Sequence, residues 1–223
     1  MDEATVGSDQ AVSDETLQRL QVAWQVLGAL LAEGIPSQDL LDRVRDEELL
    51  ADWPMLPSEL AAAGLEQWRA SAATDESRDE IERDYRELFV GPGHLLAPPW
   101  ESVYTSEDHL IFEKSTLEVR AEYRKQGKQA PRLNRDPDDH ISLELEFVRD
   151  LLGEVLAARG AGDQERADGL LRDHQRFVNE HLMVWLPPFC VDIDDNAQTH
   201  FVRGLGLLLI DAAQQAEQLS VER

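Results

Sequence analysis

The sequence predicts an all-α fold, a compact helical bundle, on three observations. Leu and Ala dominate the apolar residues and β-branched runs are few, which favours helix over strand. Apolar side chains recur at intervals of three and four residues in one segment after another. No stretch of any length alternates apolar and polar residues, and no internal repeat is visible. One helical domain over residues 13–223 follows, preceded by a short acidic tail, residues 1–12, that lacks large apolar groups.

Each helix has a local reason. Ser13 before Asp14 and Glu15 is an N-cap with acid in the first turn, and Leu17, Leu20, Val22, Trp24, Leu27, Leu30 and Leu31 follow at helical spacing up to the breakers Gly34 and Pro36. Residues 37–53 read as one or two short helices with Leu40, Leu41, Val44, Leu49 and Leu50 inward, ended by Pro54 and Pro57. Residues 58–73 give a third helical stretch. Residues 74–77 start a fourth, whose inward stripe is Ile81, Tyr85, Leu88 and Phe89. Residues 91–105, GPGHLLAPPWESVYT, are too rich in Gly and Pro for regular helix, yet hold Trp100, Val103 and Tyr104. So apolar a loop must pack against the core or face a partner.

Helix is expected again from about Glu107 to Gln126, closed by Gly127. Asp136-Pro137-Asp138-Asp139 reads as the clearest helix start, with Asp136 as N-cap and Pro137 at N1. The helix after it, to about Arg159, is apolar on more than one face and therefore central. Another is expected from Asp163 to Trp185, ended by Pro187-Pro188, and a last from Ala197 to Leu219.

Composition narrows the function. Asp and Glu number 45 against 21 Lys and Arg, a net charge of −24. Nucleic acid and anionic membrane surfaces call for clustered positive charge, so both are poor partners. Lysine occurs only at 114, 125 and 128, a balance that resembles proteins of high-salt cytoplasm, where carboxylates keep a surface hydrated. The same acid would also attract a cationic segment. The lone cysteine, Cys190, excludes an intramolecular disulfide and reads as a small buried hydrophobe. With no apolar stretch long enough to span a bilayer and no leader-like N-terminus, a cytoplasmic protein is expected.

Most chemical motifs fail on inspection. Gly91-Pro92-Gly93 lacks the Gly-Lys-Ser/Thr ending of a phosphate loop, so nucleotide binding has no motif behind it. The run Asp192, Asp194, Asp195, Asn196 lacks the Gly and Glu of a calcium loop. His174 and His181 share a helix face without a Glu-x-x-His pair and read as ordinary histidines.

Two constellations remain. One joins Tyr85, Leu88 and Phe89 through Gly91-Pro92 to Pro98-Pro99-Trp100-Glu101-Ser102-Val103-Tyr104. The other is Asp138-Asp139-His140 with Glu144 one turn on. By residue chemistry alone the first caps the core and the second caps a helix while orienting a histidine. A metal-dependent hydrolase built on Asp138, Asp139, His140 and Glu144 is a distant alternative.

Taken together, Tyr85-Arg86-Glu87-Leu88-Phe89-Val90-Gly91-Pro92-Gly93, Pro98 to Tyr104 and Asn134-Arg135-Asp136-Pro137-Asp138-Asp139-His140-Ile141 resemble the signatures of the TorD/DmsD chaperones of molybdoenzymes. Thr116 to Tyr123 and His181 to Pro187 resemble further family segments, and the likeness spans residues 80–210. Ser142 departs from it, standing where many members carry Gly.

The resemblance implies a TorD-like all-helical bundle that is no enzyme and needs no cofactor or metal. Its partners would be a molybdoenzyme catalytic subunit and that subunit's twin-arginine signal peptide, held in the cytoplasm until the cofactor is inserted and then released to the Tat translocase. A nitrate-reductase-type assembly chaperone for a non-exported subunit is the alternative. The peptide-capturing residues carried over are Leu88, Phe89, Pro99, Trp100, Asp139 and His140; position adds Glu101, Tyr104 and Asp138. Leu88, Phe89, Pro99 and Trp100 would form an apolar groove. Asp138, Asp139 and Glu101 would receive guanidinium groups, and Trp100 or Tyr104 would add a cation–π contact. Hinge loops such as 127–136 would also let helices exchange in a homodimer.

Overall fold

Ser13 caps the first helix as its sequence predicts: its hydroxyl accepts from the Thr16 N–H, and α1 runs Asp14–Leu31. The computed structural model describes residues 12–32 and 34–219. Apart from Val12, the expected acidic tail lies outside the described residues. Val12 packs against the core, and its carbonyl accepts from Arg159 at 2.8 Å.

The same capping chemistry sets the next starts. Ser37 opens α2 (Gln38–Val44), Asp46 opens α3 (Glu47–Ala51), Ser58 opens α4 (Glu59–Ala73) and Ser77, in a reciprocal box with Glu80, opens α5 (Arg78–Tyr85). A π turn, Arg86–Val90, extends α5 and buries Leu88 and Phe89. Then come α6 (Glu101–Thr105), α7 (Lys114–Lys125), α8 (Ile141–Gly160) and α9 (Gln164–Phe177). A second π turn, Val178–Leu182, leads into α10 (Met183–Asn196), and α11 (His200–Glu217) closes the chain. Among the described residues there is no strand. An isolated bridge joins Trp100 to His140.

The apolar-all-round helix is central as expected: α8 packs against both α1 and α9, while α11 packs against α4 and α10. Buried side chains from Leu17 to Ala216 make one continuous core. Close approach of α4 and α11 depends on two glycines. A Cβ on Gly64 would lie 2.7 Å from Leu208 Cγ, and one on Gly204 would lie 2.5 Å from Trp68 Cδ1.

Four expectations about elements are corrected. Residues 91–105 are not wholly irregular, because α6 starts directly after Trp100. The helix expected from Glu107 starts only at Lys114. Before it, His109 Nδ1 bonds the Val103 carbonyl at 2.7 Å and Leu110 N–H bonds Ser106 Oγ at 3.2 Å, local bonds that compete with helix. His109 and Phe112 accordingly take φ of 52° and 65°.

The Asp136-Pro137 start is also displaced. His140 is the N-cap and α8 begins at Ile141, because Asp138 and Asp139 are drawn inward by partners far along the chain. Finally, Pro187-Pro188 does not end a helix but lies inside α10. Each proline removes one backbone donor, at about 3 kcal/mol. Trp185, Leu186, Phe189, Cys190 and Ile193 are buried on the same helix, each worth about 1.5–3 kcal/mol, and that packing outweighs the loss.

Candidate functional site

The two constellations meet. The chain at 99–101 crosses the chain at 139–141: Ile141 N–H donates to the Pro99 carbonyl at 2.9 Å, and Glu101 N–H donates to the Asp139 carbonyl at 3.1 Å. The rings of Trp100 and His140 consequently stand edge to face, 5.5 Å apart. Beside them opens a cleft of about 270 Å³, lined by Leu31, Ala32, Gly34, Tyr85, Phe89, Val90, Pro99, Trp100 and His140. Helix α5 and its π turn supply one wall, the end of α1 another, and the bridge the third. Tyr85 is fixed by its hydroxyl, which donates to the Leu30 carbonyl at 3.1 Å, and by edge contact with Phe89.

His140 does structural work within this crossing. Its Nδ1 accepts from Ser142 N–H at 3.2 Å and lies 2.9 Å from Ser142 Oγ, so the neutral ring carries its proton on Nε2. Burial lowers its pKa to about 4, against the smaller opposing pull of Asp136.

The acidic residues behave differently from expectation. Asp139 is fully buried: one oxygen accepts from Ser102 N–H at 2.7 Å, the other from Thr116 Oγ1 at 2.7 Å. It thereby caps α6 from a distant part of the chain. Asp138, also fully buried, takes a two-pronged contact from Arg120, both arms 2.9 Å. Glu101, 3% exposed, faces His181 Nδ1 at 3.0 Å. Burial raises the Glu101 pKa, against the pull of His181. Glu144 is sealed in, with Trp185 Nε1 donating to it at 3.1 Å. Burial, then the charges of Glu101 and Asp139, push its pKa well above the ordinary range.

The expectation that Glu101, Asp138 and Asp139 offer carboxylates to a partner's guanidinium groups is thus corrected, because each is enclosed and committed to a donor of this chain. The hydrolase alternative gains no support either: among the described residues no three acidic, histidine or cysteine side chains are set to hold a metal ion.

Of the nine expected residues, Phe89, Pro99, Trp100 and His140 line the cleft. Leu88 is wholly within the core. The Tyr104 hydroxyl bonds Asp192 at 2.9 Å and its ring packs on Trp185 and Phe189, away from the cleft. Sequence reasoning missed Leu31, Ala32, Gly34, Tyr85 and Val90 as lining. Val90 carried a usable signal, being apolar just outside the inward stripe of α5; it is 45% exposed. The chemistry on offer is that of an apolar notch with a partly buried indole at its mouth. It suits binding, since among the described residues no ionisable group in it is poised to exchange protons near neutrality.

Comparison with known proteins bears on the same segment. A family model described as nitrate reductase delta subunit matches residues 54–191. The chain is 29% identical to the Tat proofreading chaperone DmsD of Salmonella typhi over 206 residues, covering 90% of each. It is 28% identical to the chaperone protein TorD of Photobacterium profundum over 178 residues, covering 77% of this chain and 80% of that one. The DmsD of Salmonella typhimurium is 26% identical, again over 90% of both chains.

Proposed function

Because the chain belongs to the nitrate reductase delta subunit family, we propose that it is a cytoplasmic maturation chaperone. Its client is a molybdenum-cofactor oxidoreductase, of which it binds the twin-arginine signal peptide, the apo protein or both. It assists cofactor insertion, delays Tat export and performs no catalysis. The single observation that carries this reading is the open apolar cleft at the Trp100–His140 crossing, inside the matched segment.

The physical logic is simple. The apolar stretch of a signal peptide seats one or a few side chains against Phe89, Val90, Pro99 and Trp100, in the manner of a helix or extended segment laid in a groove. A cleft of about 270 Å³ buries too little to hold a client permanently, which suits a partner that must be released. The names of the relatives weigh toward an exported client rather than a non-exported nitrate-reductase subunit. No described helix is long and apolar enough to cross a membrane.

Titration of the purified chain with a synthetic twin-arginine signal peptide tests this. Trp100→Ala, and Val90→Asp at the exposed rim, are each expected to weaken binding about ten-fold or more, at an unchanged fold by circular dichroism. Undiminished binding by both variants would remove the cleft from the mechanism. No binding by the wild type would remove the chaperone reading.

A further inference from the structure

A client segment with two arginines needs acidic receptors, and the three first expected, Glu101, Asp138 and Asp139, are enclosed and paired. A separate, acidic cavity lies along α5. It measures about 310 Å³ and is lined by Glu76, Glu80, Arg83, Asp84, Glu87 and Thr199, with Gln198 beside them. Most of its polar atoms are occupied. The Glu76 oxygens accept from the N–H groups of His200 and Phe201 at 2.6 and 3.0 Å, closing the N-terminus of α11. Glu80 holds Ser77 in the capping box.

Asp84 is different. It is 3% exposed. Its Oδ2 accepts from Gln198 N–H at 3.0 Å, Thr199 N–H at 2.8 Å and Thr199 Oγ1 at 2.7 Å. Its Oδ1, equally enclosed, has no hydrogen-bond partner. A buried carboxylate oxygen without a donor is expensive, and in native proteins such an atom calls for a partner. Glu87, exposed at the mouth, supplies a second acceptor.

We propose that this cavity receives a guanidinium group of the client segment, with Asp84 Oδ1 at its floor and Glu87 at its rim. The identity of the client rests on the chaperone reading; the chemistry of the cavity does not. Three considerations favour this ligand. The lining sets four carboxylates against one cation, Arg83. A divalent metal would need about six oxygen ligands, and no three acidic, histidine or cysteine side chains among the described residues are set to hold one. A guanidinium is planar, multiply donating and weakly hydrated, hence better suited than an ammonium to an enclosed acceptor. Position fits as well. Asp84 and Tyr85 are consecutive on α5, and Tyr85 lines the apolar cleft.

The test uses the full chain and three peptides that share one apolar stretch, preceded by two arginines, two lysines or two glutamines. The wild type is expected to prefer arginine over glutamine by about ten-fold or more, with lysine between. Asp84→Asn, which keeps one acceptor oxygen for Thr199, and Glu87→Gln, on the surface, should each shrink that preference by several-fold. Affinity for the glutamine peptide, set by the cleft, should stay within about two-fold. Arg83→Gln, removing the competing cation, should enlarge the preference. An undiminished preference in Glu87→Gln and in any folded Asp84→Asn overturns the proposal.

If the wild type binds none of the three peptides, the chaperone reading fails separately. The cavity is then probed with N-acetyl-Arg-Arg-amide by amide NMR. Shifts at Gln198 and Thr199 that Glu87→Gln weakens support it. No shift there, or shifts produced by Mg²⁺ or Ca²⁺ alone, overturn it.

Discussion

Asp139 shows how far a residue's role depends on what surrounds it. In the sequence it is an acid beside a histidine, open to a metal, a cation or a cap. In the structure it ties three segments together through Ser102 and Thr116. Asp139→Ala therefore strands a buried N–H and a buried hydroxyl. It is expected to lower stability by about 2–5 kcal/mol in urea unfolding. Lost peptide binding in that variant would report damage to the crossing, which is why Trp100 and Val90 are the better probes. His174 is the opposite case. It is fully buried on α9 with neither ring nitrogen partnered, and burial lowers its pKa to about 3. Since the folded value lies below the unfolded one, the unfolded chain binds more protons as pH falls, and stability is lost through that window. His174→Leu should raise the melting temperature, and its advantage should widen as pH drops below about 6.5. An advantage that stays constant with pH would contradict the burial.

Among the elements, the close pairing of α4 with α11 turns on glycine. Gly204→Ala would drive a methyl into the Trp68 ring and the Gly64 carbonyl. Separation of the two helices should cost about 1–3 kcal/mol, read from the denaturant midpoint. Gly160→Ala is the internal contrast: it lies in the last turn of α8 with nothing near its absent Cβ. That change should be neutral or stabilise by up to about 1 kcal/mol. The elements also show where local signals stop being decisive. The serine cap at 13 was readable, because a cap is chemistry within three residues, and the helices that open after Ser37, Ser58 and Ser77 were placed nearly right for the same reason. Asp136-Pro137 looked equally good and lost, because Asp138 gained a guanidinium from α7 and Asp139 a donor from α6. Likewise Pro187-Pro188 reads as a stop, yet α10 runs through it on the strength of its buried face.

At the scale of the whole molecule, the charge of −24 is the dominant fact. Self-repulsion of so acidic a chain opposes compactness, and salt screens it over about 10 Å at 0.1 M. The melting temperature is expected to rise from low to molar salt; a flat response would refute the reading of the surface as adapted to high salt. Client binding should respond the other way in part. The guanidinium contribution weakens with salt while apolar seating in the cleft persists, so the preference for arginine should narrow as salt rises.

The sequence by itself determined the helical class, most helix starts and the central place of α8, since periodicity and capping act over a few residues. Its resemblance to a chaperone family also pointed to Phe89, Pro99, Trp100 and His140, four residues that line the cleft. Only the tertiary structure decided which carboxylates face outward. Asp139 meets Ser102 across 37 positions and Glu101 meets His181 across 80. Whether a charge is buried depends on contacts of that range, and neither propensity nor spacing carries them.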